Sequence, residues 1–152
     1  MIDDKASLLS NLSNVTAFIK QTLDDVSWVG FYLNVNDTLI LGPFNGNVAC
    51  TTIKNFNGVC GKCLKDKEIQ IVGDVNKLKY HIACDSASNS EVVLPLIINN
   101  EVKMVLDIDS YTLNRFTEYN DEIKNLEAIL DELKDFMIKK DLLSFDKLTF
   151  IK

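Results

Sequence analysis

Two strand-length apolar runs separated by two asparagines constrain this chain more than any other feature. Val92-Val93-Leu94-Pro95-Leu96-Ile97-Ile98 and Val102-Lys103-Met104-Val105-Leu106-Asp107-Ile108-Asp109 flank Asn99-Asn100. Asparagine tolerates the left-handed backbone of a two-residue hairpin turn, so the segment reads as an antiparallel pair. A second pair precedes it: Ser27 to Leu33, a turn at Asn34-Val35-Asn36-Asp37, and a return strand from Thr38 to Phe44. Leu8, Leu12, Val15, Ile19 and Leu23 recur at helical spacing and predict a helix over about 6–24. A short strand is expected over Val48–Ile53, a short helix from Gly58 to about Lys67 and another strand over Glu68–Val72. Thr117 is a candidate N-cap for a last helix, with Glu118, Asp121 and Glu122 near its positive end. Its buried stripe would be Ile123, Leu126, Leu130, Leu133 and Met137. The expected fold class is α+β, with helices on one face of a mainly antiparallel sheet and a loop-covered pocket on the other. The chain reads as one domain over 1–152, with a core of about 6–138 and a C-terminal extension of about 139–152.

Composition narrows the function classes. The chain has 152 residues, 47% of them apolar, which suffices for one core without staples. A net charge of -6 disfavours nucleic acid and anionic membrane surfaces. No run approaches the ~20 apolar residues of a membrane span. The start, Met1-Ile2-Asp3-Asp4-Lys5, lacks the basic and apolar regions of a signal peptide, so the cytoplasm is the expected compartment. Four cysteines there are reduced at rest: packing residues, metal ligands or working thiols.

The irregular stretch from Asp74 to Ser90 has no periodicity, and long structureless loops in small domains are often functional. It contains Cys84, in His81-Ile82-Ala83-Cys84-Asp85-Ser86-Ala87-Ser88, among small and polar residues where a thiolate can be solvated and reached. Cys50 ends Gly46-Asn47-Val48-Ala49-Cys50, and Cys60 sits in Gly58-Val59-Cys60-Gly61 with Cys63 at CxxC spacing. Half a zinc signature is present without a second pair. A thioredoxin-like redox CxxC needs a βαβ unit that the pattern lacks, and Cys63 is expected to point into the core. A third reading is that all four cysteines merely pack; the glycines around Cys50 and Cys60 weigh slightly against it, since glycines bring backbone close to something. His81, the only histidine, has no acid at a recognisable spacing and reads as a loop residue.

Asp107 and Asp109 alternate with Leu106 and Ile108, so on a strand both carboxylates face one side. Like charges there favour a pocket holding a cation or a shared proton; the plain alternative is a solvated strand end. Glu91 can join them across the hairpin. Trp28 and Tyr32 also share a face, as core or as a box around an apolar group. A reachable thiol, further thiols, clustered acids and an aromatic pair suit a small cationic or zwitterionic substrate but do not name a reaction.

Taken together, Trp28-Val29-Gly30-Phe31-Tyr32-Leu33, Leu41-Gly42-Pro43-Phe44-Asn45-Gly46, Val48-Ala49-Cys50, Gly58-Val59-Cys60-Gly61, the string from His81 to Glu91, Val93-Leu94-Pro95-Leu96 and Val105 to Ser110 closely resemble the free methionine-(R)-sulfoxide reductases. The likeness runs in order over roughly Trp28 to Leu130. It implies a GAF-domain fold, Cys84 as nucleophile and Cys50 and Cys60 as resolving thiols. It also implies that Trp28 and Tyr32 box the S-methyl end of the substrate, while Glu91, Asp107 and Asp109 handle its polar atoms. Two positions depart: Met104 stands where the family usually has glycine, and Cys63 has no counterpart in the family pattern. The reaction implied is reduction of free methionine-(R)-sulfoxide through a sulfenic acid and a disulfide. A dithiol such as thioredoxin would reset the enzyme, no metal or organic cofactor is needed, and a homodimer is allowed. The alternative is a GAF module that binds a small ligand and regulates a partner, which would need no thiols.

Overall fold

The central hairpin forms as its sequence dictates: β5 (Ser90–Ile98) and β6 (Glu101–Ser110) pair antiparallel around Asn99 (φ 54°) and Asn100 (φ 64°). Both turn residues lie in the left-handed region, which matches the right-handed twist of the flanking strands. Our computed structural model describes residues 1–79, 84 and 87–145. The same turn chemistry, Asn36 (φ 52°) and Asp37 (φ 63°), joins β1 (Trp28–Val35) to β2 (Thr38–Asn45). With β3 (Thr52–Ile53) and β4 (Gln70–Val72) they make one antiparallel sheet of order β3-β2-β1-β6-β5-β4. The hairpin therefore lies inside the sheet, with β6 between β1 and β5.

Period-two patterning sorts the side chains. Val29, Phe31, Leu33, Val92, Leu94, Leu96, Met104, Leu106 and Ile108 face one way and are buried. Against them pack α1 (Leu8–Thr22), through Leu8, Leu12, Val15 and Ile19, and α3 (Asp121–Lys139), through the predicted stripe and Phe136. Each such side chain taken fully out of water contributes roughly 1.5–3 kcal/mol. Met104, fully buried, is accommodated in this core. Leu142 and Phe145 join it too, so the packed core runs on past α3.

The opposite face carries a helix as well as loops. Val59, Cys60, Cys63 and Leu64 of α2 (Gly58–Asp66) pack on Trp28, Tyr32, Val93 and Val105. Gly61 lets the turn before α2 fold close against the helix, because a Cβ there would run into the backbone of Phe56. Cys63, with its Sγ 3.8 Å from the Val93 carbonyl, is a packing residue as expected.

Two local expectations shift. Asn120, not Thr117, caps α3: its Oδ1 accepts the Ile123 N–H at 3.0 Å, while Asp121 and Glu122 do occupy the first turn. Only Thr52–Ile53 of the expected Val48–Ile53 strand pairs with β2, the Thr51 carbonyl still accepts the Leu41 N–H at 3.0 Å, and Cys50 just before it is bonded to Cys84. Among the described residues no helix is long and apolar enough to cross a membrane.

Candidate active site

The strand register assembles the acids. Glu91 of β5 stands directly opposite Asp109 of β6, which is also opposite Trp28 of β1; one step along, Asp107 lies between Val93 and Gly30. All three carboxylates thus share the α2 face of the sheet. Glu91 is 7% exposed and Asp107 6%, and among the described residues none that lines the cavity they border is basic. Burial, helped by the nearby Asp109 charge, pushes Glu91 up to about 8. Burial and the Glu91 charge hold Asp107 well above the ordinary carboxylate range, and its proton is donated to Glu91. Two acids that cannot both ionise side by side share protons instead.

Cys60 enters the same space from the first turn of α2. Its Sγ lies 4.0 Å from Glu91 Oε1, and burial followed by the Asp107 and Glu91 charges raises its thiol pKa well above normal. A thiol in that setting stays protonated and is a poor nucleophile.

Cys84 and Cys50 are bonded to one another, with Cα atoms 5.3 Å apart. Both are partly exposed. The segment bearing Cys50 is held by the aromatic pair: Tyr32 Oη donates to the Cys50 carbonyl at 2.8 Å and Trp28 Nε1 donates to the Asn47 carbonyl at 3.0 Å. Trp28 stacks on Tyr32 (centroids 6.0 Å) and on Phe44 (5.3 Å). Gly30, between them on the strand, leaves the slot into which the indole folds; a methyl there would overlap the Trp28 ring and approach Phe44 Cβ to 2.6 Å.

Two adjoining cavities of about 40 and 30 Å³ connect these groups. Tyr32, Cys84, Asp107 and Asp109 border both; Cys60 and Glu91 line the first, Trp28 and Val48 the second. Ser88 Oγ and Asp107 Oδ1 are buried without a hydrogen-bond partner, and both residues line the first cavity. Paired polar groups are the rule in interiors, so two orphans facing one space mark a place for a polar guest. A larger cavity, about 460 Å³, lies at the other end of the strands between Asn34, Lys67, Lys103 and Phe145; no thiol lines it.

All eight residues singled out in the sequence converge here, but the thiols divide. Cys50 is bonded to Cys84, whereas Cys60 is buried and free among the acids. Ser88 has no signal in the sequence beyond its place near Cys84, because the burial of a hydroxyl is invisible in a lone serine. His81 lies outside the described residues.

No protein-family model matches the chain. The free methionine-R-sulfoxide reductase of Escherichia coli is 44% identical over 130 residues, covering 85% of this chain and 79% of that one. Superposition on fRMsr of Staphylococcus aureus in its reduced form gives a TM-score of 0.82 at 40% identity, over 90% of this chain and 87% of the other. A solved GAF domain aligns with a TM-score of 0.77 at 38% identity, over 88% and 78%. The GAF fold expected from the sequence is therefore the fold of this chain. Identity at that level over most of both proteins places the chain in the free methionine-R-sulfoxide reductase family.

Proposed function

We propose that this enzyme reduces free L-methionine-(R)-sulfoxide with Cys84 as nucleophile and Cys50 as first resolving thiol. The observation that carries the reading is the Cys50–Cys84 disulfide bordering a cavity lined by three clustered acids. Sulfoxide sulfur is a weak electrophile until its oxygen is protonated. Asp107, buried and proton-holding, supplies that proton, with Glu91 and Asp109 sharing the charge. Cys84 thiolate attacks sulfur, the oxygen passes to Cys84 as a sulfenic acid, and methionine leaves as the thioether. The Cys50 thiol condenses with the sulfenic acid, forming the disulfide and releasing water. Two electrons and two protons from an external dithiol then restore both thiols.

Trp28 and Tyr32 enclose the S-methyl end, and the acids and Ser88 take the polar atoms. In the disulfide form the cavities hold little more than a few waters. The substrate-binding form is accordingly the reduced one, in which Cys84 separates from Cys50. A thioredoxin-like dithiol is the reductant that suits a partly exposed pair beside Val48, itself 88% exposed, and the cytoplasm is the compartment that maintains such a donor. A homodimer, if formed, has an apolar contact available in Phe18, 44% exposed on α1, and sedimentation velocity measures it. Metal and organic cofactors have no step in this scheme.

The decisive assay supplies free methionine sulfoxide epimers and a dithiol and follows both by chiral chromatography. The R epimer should be consumed and the S epimer and protein-bound sulfoxide spared; equal rates on both epimers would refute the stereochemical assignment.

A further inference from the structure

We propose that Cys60, Glu91 and Asp107 form a binding site for a thiophilic divalent cation such as Zn²⁺, and that this ion excludes the substrate. The Cys60 sulfur and one oxygen from each acid lie within 4.8 Å of one another, and all three residues are buried. Zinc–sulfur bonds of ~2.3 Å and zinc–oxygen bonds of ~2.0–2.2 Å put tetrahedral ligands about 3.3–3.7 Å apart, so contraction of about an ångström closes the site. Side-chain rotation supplies this without moving a strand, since Glu91 and Asp107 are diagonal neighbours two residues apart in register on adjacent strands.

A second observation points to a ligand independently of the clustering. Ser88, outside the cluster and 6% exposed, lines the same cavity with its Oγ buried and without a hydrogen-bond partner, and Asp107 Oδ1 is likewise unmet. Asp109 lines the same space and supplies a fourth oxygen, or a water does. Among the described residues no basic side chain lines either cavity, and the buried Glu91 and Asp107 carboxyls favour their protonated forms. A cation replaces those protons and the thiol proton, releasing them to solvent. One thiolate with carboxylates favours Zn²⁺ or Co²⁺; Mg²⁺ and Ca²⁺ prefer all-oxygen shells. This set differs from the CxxC half-signature in the sequence: Cys63, its second member, is turned to the Val93 carbonyl. Competition with methionine sulfoxide follows because the ion occupies the acids that handle the substrate's polar atoms, and this part rests on the proposed function.

The test uses reduced full-length protein carrying Cys50→Ser and Cys84→Ser, which removes the redox pair as an alternative ligand. Titration with Co²⁺ should give one ion per chain and a thiolate-to-cobalt charge-transfer band, displaced by Zn²⁺ and unaffected by Mg²⁺ or Ca²⁺. Adding Cys60→Ser should abolish the band. Adding Asp107→Asn, or Glu91→Gln if the former fails to fold by circular dichroism, should weaken binding ~10-fold or more. No band, or a band that survives Cys60→Ser, overturns the site. With the parent enzyme, buffered Zn²⁺ should raise KM for methionine-(R)-sulfoxide and leave kcat unchanged; a lowered kcat at unchanged KM overturns the competition. A chain inactive on the sulfoxide would instead refute the proposed function, while the cobalt titration still decides the site.

Discussion

At the scale of single residues, the site separates one bonded, partly exposed cysteine pair from one buried thiol. Cys84 and Cys50 are bonded and partly exposed; Cys60 keeps its proton because it is buried and, secondarily, because Asp107 and Glu91 surround it. Cys84→Ser should release no methionine in a single turnover without reductant. Cys50→Ser should release one methionine and stall as the sulfenic acid, detected by protein mass spectrometry, unless Cys60 or a small thiol rescues it. A full turnover from Cys84→Ser would remove it as nucleophile. Among the acids, Asp107 is the one whose burial and whose neighbour Glu91 both favour the protonated form. Asp107→Asn keeps the shape and removes the proton, and should lower kcat by ~10²–10⁴. Asp109→Asn is the control, and near-native kcat in both at every pH would pass the role to Glu91.

At the scale of elements, β1 does two jobs on one face. Trp28 and Tyr32 wall the cavity, and their polar atoms also hold the backbone of the Asn47–Cys50 stretch. Tyr32→Phe removes the donor to the Cys50 carbonyl, a hydrogen bond of roughly 0.5–1.5 kcal/mol. Stopped-flow should show methionine release continuing while disulfide closure slows up to about tenfold; unchanged closure would leave Tyr32 as a wall alone. Gly30 is the companion test, since a methyl there meets the Trp28 ring. Gly30→Ala should cost ~1–3 kcal/mol of unfolding free energy in denaturant titration and disturb the indole fluorescence.

At the scale of the whole molecule, the buried acids tie stability to pH. Glu91 titrates at about 8 in the folded chain against 4.5 unfolded. Between those values the folded state holds a proton that the unfolded state has lost, so stability falls as pH rises through that window. Below about pH 4.5 the carboxyl is protonated in both states and this loss vanishes. Asp107, raised for similar reasons, acts in the same direction. Thermal unfolding followed from pH 5 to 9 should show a falling midpoint, and Glu91→Gln should flatten it. A midpoint rising across this range in the parent would contradict the shared-proton arrangement.

Much of this was legible in the sequence because short-range physics dictates it. The Asn99-Asn100 turn set the hairpin, alternation placed Asp107 with Asp109 and Trp28 with Tyr32, and helical spacing named the stripe of α3. The Cys84 loop stood out by lacking any period. Three matters needed the tertiary structure. α2 covers the pocket face because Val59, Cys60, Cys63 and Leu64 pack on Trp28, Tyr32, Val93 and Val105, distant strand residues that no local pattern pairs with it. The cap of α3 moved from Thr117 to Asn120, since both residue types cap well and only chain path chooses between them. The division of the thiols was decided last: Cys50 and Cys84 meet across 34 positions, while Cys60 is delivered to Glu91 across 31. Such encounters depend on how the sheet brings distant segments together, and spacing along a chain carries no record of that.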